Sequence, residues 1–401
     1  MRLSPVSRES LPEDQRRFFD AVRAIRRRPI SGPFIVTMNS SPDLASRFAH
    51  LGHYFHSRGQ ADESILSARV RTFVALVGSR ALNVPYEWNA WVGWALEAGV
   101  PQATADAIRD GREPAHLTEE ETVVRDYCTQ LVSGNHQLSE ATYQHALRLF
   151  GEQGLVELAV CLGYFAMIAF PLNAFEIEMT AEQIALRKPF APLLVPAHSG
   201  MPPARASTPA FATLPGASAR LRTLTQHGDL QGPDQHYLDR VIRTRGHVSG
   251  IFQRLLHTPD VADRIATTGE FFLYETMLPP ALRTRVWLIT SRELDCAYTW
   301  HASVNAARVA GLSPALIETI ERGDATSVND EHADVIHFCL ELLRGNHHVC
   351  DATYDAVVAH HGVPATVQIA ASLGYIAMIS IVANTFALAP DANADASRPA
   401  L

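Results

Sequence analysis

The sequence predicts an all-α protein built as two tandem helical bundles, and three observations carry that expectation. Apolar residues recur at spacings of three and four along most of the chain. Helix-start signals are frequent, whereas no Asn-Gly or Asp-Gly turn joins two alternating strand-like runs. The chain also repeats itself, as a self-comparison shows below.

Residues 66–82 and 86–98 carry the helical spacing, the second stopped by Gly99 with Pro101 just beyond. Thr118 opens TEEETVVRDYCTQLV with Glu121 three residues on, a capping-box pattern that satisfies two helix-end N–H groups reciprocally. Ser139 opens SEATYQHALRLF in the same manner. Residues 155–175 are nearly free of charge and residues 364–390 wholly so. The second stretch is long enough to span a bilayer. Both contain Gly, Asn and other small or polar residues, which predicts helices buried on all sides in a core and no membrane partner.

At an offset of 212 residues, Arg71-Thr72 falls on Arg283-Thr284, Tyr86 and Trp88 on Tyr298 and Trp300, and Gly99 on Gly311. At an offset of 211, Gly134-Asn135-His136 lies over Gly345-Asn346-His347, and Leu162-Gly163-Tyr164 over Leu373-Gly374-Tyr375. Upstream, Ser41-Pro42-Asp43 answers Thr258-Pro259-Asp260. The expected organisation is a first repeat over 1–187, a Pro-rich, extended linker over 188–219, and a second repeat over 220–401. A tandem repeat of this kind replaces a homodimer contact, so the halves are expected to form an intramolecular pseudo-dimer about a pseudo-twofold axis.

Composition narrows the function classes. The formal net charge is −8, and the strongest basic cluster is Arg26-Arg27-Arg28, so nucleic acid is not an expected partner. The 5 cysteines include no CxxC pair, which argues against a disulfide framework and a structural zinc site. The first residues lack the apolar run of a signal peptide, and the expected location is cytoplasmic.

Three stretches carry a family resemblance: Ala68-Arg69-Val70-Arg71-Thr72, Tyr86-Glu87-Trp88, and LVELAVCLGYFAMIAFPLNAFEI from Leu155. The second half offers ALRT, YTW and ASLGYIAMISIVANTF. Together they resemble the carboxymuconolactone decarboxylase and alkylhydroperoxidase D superfamily of all-helical proteins. Peroxidase members carry a CxxC pair, whose positions here hold Val84 and Glu87, and Cys296 and Thr299. With no second thiol to resolve a sulfenic acid, thiol peroxidase chemistry is not expected. Decarboxylase-like members carry a Tyr-Glu-Trp segment, an upstream Glu and a His three residues after the Trp. The first half keeps Tyr86-Glu87-Trp88 but has Thr72 and Trp91 at the other two positions. The second half has Thr284, Thr299 and Ser303, with His301 two residues earlier.

The resemblance implies a cofactor-independent lyase that acts on a small carboxylated lactone or ring-cleavage product of aromatic catabolism. It also implies a homo-oligomer, a dimer or trimer of this two-repeat chain. An isomerase, lactone hydrolase or cyclase using the same pocket, or a non-catalytic small-molecule-binding scaffold, are the alternatives. Decarboxylation needs a cation to anchor a carboxylate, a polar environment for the developing enolate, and an acid to protonate carbon. Arg71 and Arg283 are the candidate carboxylate ligands, with a helix-to-helix salt bridge as the structural alternative. Glu87 and His301 are the candidates for proton transfer, Glu87 alternatively pairing with Arg69, Arg71 or Arg80. Tyr86 and Tyr298 are assigned to orient substrate, and Trp88 and Trp300 to line its site. His136 and His347 are expected to cap helices. No metal site is expected, because His347-His348 and His360-His361 have no carboxylate or third His at ligand spacing.

Overall fold

A computed structural model describes residues 1–56, 64–179, 193, 211 and 220–390. The predicted linker 188–219 lies outside the described residues apart from Leu193 and Phe211. Among the described residues there are sixteen α-helices and no strand. The all-α fold is thus the observed one.

In the first half α1 is Arg16–Arg26, α2 Pro33–Met38, α3 Pro42–His56, α4 Ala68–Ala81, α5 Pro85–Glu97, α6 Gln102–Arg109, α7 Glu119–Cys128 and α8 Glu140–Ala174. In the second half α9 is Gln235–Arg245, α10 Phe252–Leu255, α11 Pro259–Glu270, α12 Pro280–Glu293, α13 Ala297–Val309, α14 Pro314–Glu321, α15 Ala333–Leu343 and α16 Asp351–Thr385. Local chemistry explains the starts. The Thr118 hydroxyl accepts from the Glu121 N–H at 3.2 Å and the Glu121 carboxylate accepts from the Thr118 N–H at 2.9 Å. The Ser139 hydroxyl accepts from the Thr142 N–H at 3.3 Å, but Thr142 stands where a Glu would complete the box.

α8 and α16 form the centre. Each is 35 residues long and bends at a glycine in left-handed conformation, Gly151 at φ 68° and Gly362 at φ 77°. Beyond the bends, every residue of Gly154–Ala174 and Ala365–Thr385 is buried. Both helices are long and apolar enough to cross a membrane by length and composition, and their most apolar stretches lie wholly inside the protein. They pack on each other through small residues. A Cβ on Gly374 would run into the Met167 carbonyl, and one on Gly163 would sit 2.8 Å from Met378 Cγ.

Contacts at the junction of the halves, some within a half and some across it, come in matched sets. Arg47 Nη1 donates to the Thr267 carbonyl at 2.8 Å, and Arg264 Nη1 donates to the His50 carbonyl at 2.7 Å. Arg2 donates to the carbonyls of Ala174 and Val349, both at 2.9 Å, and lies 4.5 Å over the Tyr354 ring. Arg220 donates to the carbonyls of Thr385 at 2.9 Å and Leu138 at 2.8 Å, and lies 4.5 Å over the Tyr143 ring. Gln137 Nε2 donates to the Asp295 carbonyl at 2.8 Å, and His348 Nε2 lies 2.9 Å from the Asn83 carbonyl. Each set desolvates guanidinium or amide groups only where carbonyls receive them, so the apolar seam costs no orphaned donors at these points.

Candidate functional site

The first half gathers polar side chains where the C-terminal ends of α1 and α3 meet α4, α5 and α8. Glu87 lies in the first turn of α5, where the exposed N–H groups favour a carboxylate. It is buried, and its Oε2 accepts from Trp91 Nε1 one turn on, at 2.6 Å. The Trp91 ring stacks on His56, the last residue of α3, with centroids 4.7 Å apart and planes 28° apart. Phe165 meets Trp91 edge-on at 5.2 Å, and Tyr164 meets His56 edge-on at 5.5 Å. Hydrogen bond and ring stack together give the imidazole one orientation.

Cations surround that imidazole. Arg26 ends α1 and places its guanidinium 4.1 Å over Phe34, while that of Arg28 lies 5.5 Å over Trp94. The Nε atoms of both are buried without a hydrogen-bond partner among the described residues. Burial, then the neighbouring Arg28, brings the Arg26 pKa down to about 10. Burial, then Arg26 and Arg28, holds the His56 pKa well below its ordinary value, so the ring is neutral at pH 7. The Tyr164 hydroxyl is also buried without a partner among the described residues, and burial pushes its pKa up. Gly52 makes room for it, since a Cβ there would collide with that oxygen.

Two cavities adjoin across His56 and Trp94. One, of about 230 Å³, is lined also by Phe55, Arg71, Thr72 and Trp91. The other, of about 250 Å³, is lined also by Arg26, Arg28, His53 and Tyr164. Apolar walls with a few convergent cations suit a small anionic ligand.

Of the residues assigned from sequence, the structure brings Glu87 and Arg71 to this region. Arg71 is buried and donates to the Leu66 carbonyl at 2.6 Å. Its counterpart Arg283 donates to the carbonyls of Phe272 and Leu273 at 3.0 and 2.9 Å, and burial lowers its pKa. Both arginines therefore close off the chain segment ahead of their helix. Tyr86 is buried beneath Gly32 and hydrogen-bonded to Ser31, and burial raises its pKa. The Tyr298 hydroxyl accepts from the Ile251 N–H at 3.3 Å. Trp88 and Trp300 are core residues, Trp300 packed on Phe211 at 5.1 Å. His301 is exposed, its Nδ1 2.8 Å from the Ala297 carbonyl of its own helix. None of these five residues, nor Arg283, lines either cavity. The imidazole beside the Glu87–Trp91 pair is His56 rather than His301, because the end of α3 folds onto α5 whereas His301 points outward from α13.

The second half keeps the frame without the polar set. Arg245 lies 4.5 Å over Phe252, as Arg26 lies over Phe34. Gly269 makes room for the Tyr375 hydroxyl, as Gly52 does for Tyr164. Repeat register puts Leu273 at the His56 position, Thr299 at Glu87 and Ser303 at Trp91. Thr299 Oγ1 lies 3.0 Å from Ser380 Oγ and Ser303 Oγ 3.4 Å from Ser291 Oγ, so these hydroxyls satisfy one another. Arg26 and Tyr164 could have been found from their recurrence as Arg245 and Tyr375, but His56 has no repeat partner to signal it. His136 and His347 each place Nδ1 2.9 Å from the carbonyl five residues back, Leu131 and Leu342, at a left-handed turn.

Comparison of the chain with family models, curated proteins and solved structures returns no match. Fold and site together define an all-helical protein with a cationic, aromatic-walled pocket in its first half.

Proposed function

We propose that the chain is a tandem two-repeat relative of the carboxymuconolactone decarboxylase and alkylhydroperoxidase D superfamily, with its halves joined as an intramolecular pseudo-dimer. The matched contacts support the pseudo-twofold: Arg47 with Arg264, Arg2 with Arg220, and Gly163 with Gly374 are equivalent in repeat register and reach across to equivalent targets. We further propose that the first-half pocket performs cofactor-independent lyase chemistry on a small carboxylated lactone or ring-cleavage product. The observation that carries this reading is a neutral, oriented His56 next to Arg26 and Arg28, whose buried Nε groups have no acceptor among the described residues. The same family resemblance supports a dimer or trimer of this two-repeat chain.

In this scheme Arg26 and Arg28 hold the substrate carboxylates and drain charge from the enolate. Arrival of the anion cancels the cationic field on His56 and restores its proton affinity. The carbon–carboxylate bond breaks, CO2 departs, the electron pair is held as the enolate, and His56, protonated from solvent once the anion is bound, delivers that proton to carbon. Glu87 is a positioning residue that holds Trp91, and through it the ring of His56. A neutral imidazole in the empty pocket also suits proton abstraction next to a carbonyl, which favours an isomerase or cyclase as the second reading. Product mass separates the two, since only the lyase loses CO2.

The test is CO2 release and lactone absorbance loss from 4-carboxymuconolactone, with H56Q, R26Q and H301A beside the native protein. H56Q is expected to lower kcat on the order of 10²-fold or more, R26Q to raise KM, and H301A to change neither. Absence of both turnover and binding in the native protein overturns the lyase. Turnover that survives in H56Q but falls in H301A overturns the residue assignment.

A further inference from the structure

In the second half, His332 meets the adjacent pair His360-His361 from a distant stretch of the sequence. His332 immediately precedes α15, and His360 and His361 lie two and one residues before the bend of α16 at Gly362. One ligand nitrogen from each ring lies within 4.8 Å of the others. The ring planes are inclined to one another by 25–36°, with centroids 4.0 Å apart for His360 and His361, 5.8 Å for His332 and His360, and 5.6 Å for His332 and His361. Asp334, in the first turn of α15, brings Oδ2 to 3.2 Å from His360 Nδ1 and 3.5 Å from His361 Nε2. Three atoms of this group are buried without a hydrogen-bond partner among the described residues: His332 Nδ1, His361 Nε2 and Asp334 Oδ1. Buried polar atoms normally find partners, so three such atoms within one cluster call for an occupant. At that spacing small side-chain rotations bring the nitrogens to the separation of about 3.4 Å that Zn–N bonds of about 2.1 Å require.

The electrostatics allow a cation. The Arg285 guanidinium, which acts on His332, is paired with Asp330 at 2.7 Å. Glu331 lies 3.7 Å from His332 Nε2, and Asp334 offsets the positive end of α15. The set is peculiar to the second half, since repeat register puts Glu121, Leu149 and Phe150 at the three histidine positions and Val123 at Asp334. Local spacing hid it: the expectation of no metal site rested on the want of a third His or carboxylate nearby, and the packing of α15 against α16 supplies both.

We propose that His332, His360, His361 and Asp334 form a binding site for a divalent transition metal of the zinc class, which clamps the start of α15 to the bend of α16. Three imidazoles and one carboxylate match the ligand preference of Zn2+, Co2+ and Ni2+ over Mg2+ and Ca2+. Calorimetric titration of the EDTA-treated full chain with ZnCl2 tests it. One tight site per chain is expected, which raises Tm on filling and gives visible d–d absorbance with Co2+. H332A/H361A is expected to abolish the tight site, and H360A, at a side chain 47% exposed, to weaken it roughly tenfold or more while leaving the fold intact. H227A, at an exposed histidine elsewhere, is expected to change nothing. Absence of tight Zn2+ binding in the native chain overturns the proposal, as does tight binding that persists in both H332A/H361A and H360A.

Discussion

At the level of single residues, two buried groups make sharp claims. The buried Glu87 carboxylate is the acceptor for the buried Trp91 Nε1. E87Q retains an acceptor oxygen and is expected to fold with near-native stability, whereas E87L leaves the indole N–H unmet and is expected to cost about 1–3 kcal/mol in urea unfolding. The second claim concerns pH. Burial lowers the His347 pKa from 6.5 to about 4, and the neutral ring caps Leu342. A base with a depressed folded pKa binds its proton more readily when unfolded, so stability is full above about 6.5 and drains as pH falls toward 4. The loss from His347 is expected to stay below about 1.4 kcal/mol per pH unit, because the ring is half-buried. His56 acts in the same direction. Urea midpoints between pH 7 and 4 measure the slope, and H347Q is expected to flatten it.

Among the helices, two kinds of glycine in α8 and α16 separate strain from sterics. At Gly151 a Cβ meets nothing within 4 Å, and only the left-handed φ of 68° opposes a side chain. G151A is expected to cost about 1 kcal/mol. At Gly374 the backbone is helical, and the obstacle is the Met167 main chain of the facing helix, which cannot rotate away. G374A is expected to destabilise by about 1–3 kcal/mol or more, since the two axes must part along a fully buried seam. Thermal unfolding of the two variants side by side reads the difference.

For the whole molecule, the seam between α8 and α16 is the core of both halves at once. A separate 1–187 chain would expose the apolar face of α8 and leave Arg47 and Arg2 without their carbonyl acceptors across the seam, Thr267 and Val349. Expressed alone, each half is expected to self-associate or aggregate. Co-expressed as 1–187 and 220–401, the two are expected to co-purify as a one-to-one complex on size exclusion. A monodisperse, monomeric single half would contradict this.

What could be read from the chain was whatever near neighbours or repetition decide. The Thr118–Glu121 box is spelled within four residues, the same distance over which a helix start chooses its partners. The core helices at 155–175 and 364–390 announce themselves by an unbroken lack of charge, and Arg71 and Arg283 by recurring. The pocket was legible only in part. Glu87 stood out as a carboxylate among tryptophans, but His56 and Arg26 gain their meaning from where the ends of α3 and α1 land on α5, tens of residues away. His301 looked equivalent on paper and faces solvent, because register along a helix does not say which neighbours cover it. His332 joins His360 and His361 for the same reason. Hydrogen bonds and periodicity are short-range and leave their mark in the order of residues. Cavities, field-shifted imidazoles and ligand clusters arise where distant helix ends converge, and that convergence belongs to packing.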